Sequence, residues 1–322
     1  MNGHSLQEQI VDKPQNILVI VDPTASEHPA VLKGALLAEK FNSRLELYVC
    51  DTKAAREARL IAERAKDPSR LLTINLKPML EALAVPLRSR GLDVTTECEY
   101  ADVLHVGLLS RTQRTCAGLV IKDTHHHSLA QRTFITNTDW HLIRGCPVPL
   151  LLTRAAAWHG NLKVVAAVDP GHVNDKPALL DHHILEWSRY LAGKFDGALH
   201  VVHAYVPLSV VITAADGISP MADAMTPETL AFEDAEKRKQ LRALTEPYGI
   251  AAADIHLDLG VPAELLPRMA AELQADVLVM GAVSRSGLQK IFIGSTAERA
   301  LERLPCDVLI VKSPDFAAAA PF

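Results

Sequence analysis

A chain of 322 residues is longer than one hydrophobic core usually supports, and 48% hydrophobic with 22% charged residues excludes disordered and fibrous classes, leaving two globular domains of ordinary size. Lys plus Arg number 33 against 38 Asp plus Glu, and the net charge of −5 gives no general electrostatic drive toward nucleic acid or anionic lipid. Five cysteines, odd in number, scattered and never spaced C-x-x-C, exclude a disulfide framework and a zinc ribbon.

The polar N-terminus MNGHSLQEQIVDKPQ lacks the apolar centre of a secretory signal, and nowhere do about twenty apolar residues run uninterrupted across a membrane's width. The expected compartment is therefore the cytoplasm.

In chain order, the apolar run from Asn16 ends in Asp22-Pro23, a helical stretch covers Val31 to Phe41, and a second apolar strand runs from Arg44 to Cys50. Ala117 to Lys122 reads as a later strand, and Leu150 to Leu152 closes this half after Cys146. Arg154 to Asn161 breaks the pattern, and then it begins again. Leu162 to Val168 leads into Asp169-Pro170, a helical stretch spans Ala178 to Phe195, and a strand spans Ala198 to Val206. Ala275 to Met280 matches Ala117 to Lys122, and Cys306 again precedes a closing apolar strand. Short continuous apolar runs alternating with helices are what a parallel sheet covered on both faces requires, because its strands have no wet side. The chain thus predicts α/β architecture with two tandem domains, 1–155 and 160–322, each an open five-stranded parallel sheet with helices on both faces.

The second copy carries an insertion, Pro207 to Pro220, before a charged helix over Pro227 to Thr245. A loop of that length is either a binding lid or a mobile segment. Within the helix, the mixed-sign run Glu233 to Gln240 reads as a solvated face.

The most specific chemistry follows Met280. Gly281, Ser284, Gly287 and Gly294 punctuate a loop that ends in Gly294-Ser295-Thr296 at the start of an amphipathic helix. A helix N-terminus presents unpaired N–H groups and the positive end of the helix dipole, glycines let the backbone approach an anion, and hydroxyls add donors. Arg285 lies where the loop bends over such a ligand; Lys290 and Arg299 are cations of the same segment. The same glycines and Ser295 also suit a plain turn and helix cap. His125-His126-His127 suits zinc by chemistry, but adjacent residues diverge on a loop and lack ligand spacing, so a solvated polar loop is expected and no metal site. His182-His183, inside a helix, is expected as one half-buried and one half-exposed side chain.

At these residues the chain resembles the universal stress protein family, whose nucleotide-binding members carry Gly-x2-Gly-x9-Gly-(Ser/Thr). Gly281 takes the first position, Ser284 replaces the second glycine, and Gly294-Ser295 takes the last, with nine residues from Arg285 to Ile293 between. Asp169, His203-Ala204, Gly260-Val261-Pro262 and Cys306 extend the resemblance over nearly the whole chain, and the fused pair resembles the family's tandem members. The resemblance implies Rossmann-like domains of the adenine nucleotide alpha hydrolase type, with a ligand outside the strand C-termini. It implies that Asp169 faces the adenosine end of ATP or a related nucleotide and that Ala204 lines the adenine pocket. Met280, Gly281, Ser284, Arg285, Gly287, Gly294, Ser295 and Thr296 would then surround the phosphates, with Mg²⁺ accompanying the nucleotide.

Asp123, His126, Thr136 and Asn137 stand at the corresponding places of the first half, where a carboxylate repels phosphate. The first half is expected to complete a pseudo-twofold pair within the chain without binding ATP, and a homodimer of such pairs is a further expected assembly. No nucleophile, base and metal set for catalysis is recognisable. The expected function is a stress-response module that senses a nucleotide or phosphorylated metabolite. Two alternatives stay open: a weak Mg²⁺-dependent ATPase using Ser295 and Thr296, and a carrier or sensor of an apolar, lipid-like ligand closed over by Val210, Val211 and Ile212.

Overall fold

The computed structural model describes residues 13–52, 57, 76–124, 135–171, 179–207, 226–282 and 295–313, with the side chains of 295–298 outside that description. The chain divides into two compact units, one running to His159 and taking in the segment from Asp307, the other spanning Gly160 to Cys306.

The first unit alternates strand and helix: β1 (Asn16–Ile20), α1 (Pro29–Phe41), β2 (Arg44–Thr52), α2 (Leu76–Ser89), β3 (Val94–Ala101), α3 (Leu104–Arg114), β4 (Leu119–Asp123), α4 (Asn137–Gly145) and β5 (Leu150–Thr153). Its strands lie in the order β3-β2-β1-β4-β5, every neighbour parallel. Burial follows position. Central β4 is buried throughout, whereas edge strand β3 has one buried residue, Val94. Right-handed crossovers put α1 and α2 on one face and α3 and α4 on the other, because strand order reverses after β3.

The second unit repeats the plan with β6 (Lys163–Ala167), α5 (Leu180–Lys194), β7 (Ala198–Tyr205), α6 (Pro227–Thr245), β8 (Ile255–Leu259), α7 (Pro262–Glu272), β9 (Val277–Gly281) and α8 (Ser295–Arg303). Its parallel order is β9-β6-β7-β8. The α/β architecture and the internal repeat read from the sequence are both present. One strand departs from the all-parallel expectation. β10 (Asp307–Val311) runs antiparallel to β5, with Leu309 opposite Leu151. Both are short and buried along their whole length, so each satisfies on the other a row of backbone groups that an open edge would leave unpaired.

Among the described residues no helix is long and apolar enough to cross a membrane.

Candidate functional site

In the second unit β6 pairs with β7 on one side and β9 on the other, Ala167 facing both Val202 and Met280. The chain leaves β6 toward β7 but returns from α7 to β9, so strand order reverses between β6 and β9. A crevice opens outside the strand C-termini at such a reversal. Asp169, two residues beyond β6, and Met280-Gly281, ending β9, are brought to this edge together.

The turn after β6 is held firmly. Val168 N–H donates to Val202 O at 3.0 Å, and Asp169 N–H donates to Asp181 Oδ1 at 3.0 Å. Asp181 is buried in the first turn of α5. His203 on β7 is 1% exposed, and its Nδ1 lies 3.0 Å from Val168 O and 3.8 Å from Asp169 Oδ1. A carbonyl only accepts, so Nδ1 carries the proton and Nε2 is left as an acceptor. Burial pushes the His203 pKa down and so favours the neutral ring, while the neighbouring Asp169 carboxylate opposes the shift. Nε2 is buried and, among the described residues, has no hydrogen-bond partner.

Gly281 has a structural duty beside any role toward a ligand: a Cβ there would lie 2.7 Å from Leu180 Cδ2 at the start of α5. Ala204 is half-buried and opposite Asp258 on β8. Leu259, the last residue of β8, and Val261, two residues beyond it, are 59% and 47% exposed and add apolar surface at the C-terminal edge of the sheet. Ser295 and Thr296 open α8, as the sequence predicts. Ser284, Arg285, Gly287, Gly294, Lys290, the histidines 125–127 and the Pro207–Pro220 insertion from Leu208 onward lie outside the described residues. Arg299 is described and exposed. His182 and His183 are both half-buried, and His182 Nδ1 is 2.9 Å from the Tyr248 hydroxyl.

Sequence reasoning missed three contributors. Asp181 was hidden beside the histidine pair. Lys237 and Gln240 belong to the run read as a solvated face, yet both turn toward the Asp169–Gly171 loop: a Cβ on Gly171 would sit 2.2 Å from Lys237 Nζ and 3.6 Å from Gln240 Oε1. Arg238 of the same run behaves as expected, pairing with Asp234 at 2.7 Å on the surface. Only the four-residue spacing of Lys237 and Leu241, and of Gln240 and Leu244, hinted at an inward edge.

The first unit is built differently at the matching positions. Asp123, in the place of Gly281, is 5% exposed; its Oδ1 accepts from Ala30 N–H of α1 at 2.7 Å and from the Thr153 hydroxyl at 2.6 Å. Thr136 and Asp139 form a capping box at the start of α4: Asp139 Oδ2 accepts from Thr136 N–H at 2.7 Å, and Thr136 Oγ1 accepts from Asp139 N–H at 3.3 Å. Lys122 Nζ completes the arrangement 2.8 Å from Asp139 Oδ1. Internal carboxylates thus occupy the helix starts that would otherwise attract an anion. Among the described residues no group of three or more His, Cys, Asp or Glu is placed to hold a metal ion.

The family model for the universal stress protein family matches residues 14–154 and again 161–312. Universal stress protein E of Salmonella typhi is 26% identical, covering 94% of this chain and 95% of its own length. The Escherichia coli K12 protein of that name is 25% identical with 94% of each chain covered. Among solved structures, a functionally unknown protein from Pseudomonas aeruginosa PAO1 superposes with a TM-score of 0.73 at 29% identity over 95% of both chains. A universal stress protein from Archaeoglobus fulgidus shares the fold at 15% identity, with a TM-score of 0.63 over 92% of this chain and 98% of its own. With two matched domains in one polypeptide, the chain belongs to the universal stress protein family, in its tandem, E-like form.

Proposed function

We propose that the protein is a nucleotide-sensing module of the stress response, working in the cytoplasm, whose C-terminal domain, 160–322, takes ATP or a related phosphorylated metabolite. The N-terminal domain, 1–155, serves as its closed structural counterpart. The observation that carries this is the contrast between the two helix starts. In the first unit Lys122 and Asp139 close the start of α4. Met280 and Ala297 occupy those places in the second copy, so the N–H groups opening α8 meet no carboxylate from that position. Gly294, Ser295 and Thr296 would hold phosphate oxygens, with Ser284, Arg285 and Gly287 in the preceding loop. Asp169 and Ala204 would face the nucleoside. Mg²⁺ accompanying the nucleotide would be held beside Ser295 and Thr296 and would supply charge neutralisation there.

Slow phosphate release is a secondary property, tested by phosphate assay of Ser295→Ala against the wild type. Calorimetry with ATP, ADP and AMP tests the main proposal: binding by the intact chain that Gly294→Asp abolishes is the expected result. Indifference of the wild type to every nucleotide would sink it.

A further inference from the structure

We infer that α6 supplies a second recognition point behind the Asp169–Gly171 turn, made by Lys237, Gln240 and His203, which reads the nucleoside end of the ligand through its N–H and O–H donors. The inference rests on the nucleotide proposal above and adds residues from a helix outside the glycine loop.

Three observations converge on this turn. His203, 1% exposed, presents Nε2 with no partner among the described residues, its other nitrogen being committed to Val168 O. Gln240 Oε1 is likewise buried with no partner among the described residues. Lys237 Nζ sits directly over Gly171, where a Cβ would come within 2.2 Å, and among the described residues it pairs with no carboxylate. Its charge is felt at His203, alongside those of Asp169 and Asp181. A buried acceptor left without a donor is costly, so two at one turn mark a place that a donor-rich group would satisfy. Lys237 offsets the negative charge of Asp169 and Asp181 and donates in its turn to an oxygen or ring nitrogen. The ammonium has room only because residue 171 is glycine.

A triphosphate carries acceptors and charge but few donors, whereas a ribose diol and an exocyclic amine carry donors. The two ends of one ligand are thereby separated: phosphate at α8, nucleoside at this turn. Isothermal titration of the full chain with ATP and with inorganic triphosphate tests the assignment, using Gln240→Leu and Gly171→Ala, the second displacing Lys237 without altering it. Unchanged circular dichroism melting checks folding of both. Each variant is expected to weaken ATP about tenfold, the value of one lost hydrogen bond, and to leave triphosphate unchanged. ATP affinity unaffected in both variants, or ATP and triphosphate weakened alike, overturns the assignment, as does a wild type that binds triphosphate as tightly as ATP. A wild type that binds neither overturns the nucleotide proposal itself, and this one with it.

Discussion

Lys122 and Asp139 form a buried ion pair of 2.8 Å, the carboxylate 0% exposed, at the start of the first unit's last helix. The second copy places Met280 and Ala297 there, so a repeat that preserves strand and helix has exchanged the chemistry at one point. The N-terminal N–H groups of α4 are satisfied from inside the chain by Asp139 and Thr136. Divergence of the two halves is therefore electrostatic before it is architectural.

Removing one member of this pair strands the other. Asp139→Ala is expected to cost about 3–5 kcal/mol in urea unfolding, because Lys122 stays buried without its counterion. Adding Lys122→Met, which copies the second unit, should recover a large part of that loss. A double variant no more stable than the single one would show that the capping hydrogen bonds, and not the stranded charge, dominate.

A second buried pair ties the far end of the chain to the first unit. Lys33 Nζ lies 2.6 Å from Asp307 Oδ2, each side chain 2% exposed, and the amide and carbonyl of Arg154 complete the arrangement at 2.7 and 2.8 Å. Burial raises the Asp307 carboxyl pKa, with Lys33 opposing. Asp307→Ala should destabilise by about 3 kcal/mol or more and speed limited proteolysis next to β10. Cleavage at the wild-type rate, with an unaltered melting temperature, would contradict this role.

The sequence exposed the repeat because parallel strands buried on two faces leave unmistakable apolar runs, as at Leu119–Ile121 and Val277–Val279. It placed Asp169, Met280 and Gly281 at strand ends for the same reason, and the α6 boundaries Pro227 and Thr245 from a proline start and a charged face. What it could not carry was pairing between elements remote in sequence. The antiparallel seating of β10 on β5 depends on two edges meeting, and nothing in Asp307–Val311 encodes direction. Lys237 and Gln240 were hidden because a helix carrying Glu233, Asp234, Lys237 and Arg238 looks solvated on every side until its neighbour is known. Gly281 was legible as a glycine that matters, but its contact with Leu180 is a packing reason that spacing alone does not reveal.

The stacked rings of His105 and His141, with centroids 3.8 Å apart and 5° between planes, predict acid sensitivity in the first unit. Burial first, and then the neighbouring His141, push the His105 pKa below its ordinary value of 6.5. An unfolded chain therefore takes up a proton in a range where the folded one resists it, so stability is full at higher pH and falls as pH drops through about 6.5. The urea midpoint should decline between pH 7 and 5, and His141→Gln should flatten the decline. An identical slope in the variant would remove the stack from the explanation.

Glu186 on α5 predicts the opposite trend in the second unit. Burial alone raises its carboxyl pKa to about 7 from 4.5. Between those values the folded protein holds a proton that the unfolded chain has released, so stability falls as pH rises through that window, and the loss is complete above it. Glu186→Gln keeps the shape and removes the charge. Because the group is only half-buried, solvent screening reduces the expected gain to on the order of 1 kcal/mol at pH 8, with none at pH 4. Urea unfolding at the two pH values checks this, and an equal gain at both would assign the effect to side-chain packing and not to the charge, which also helps burial push the Tyr248 hydroxyl up to about 12.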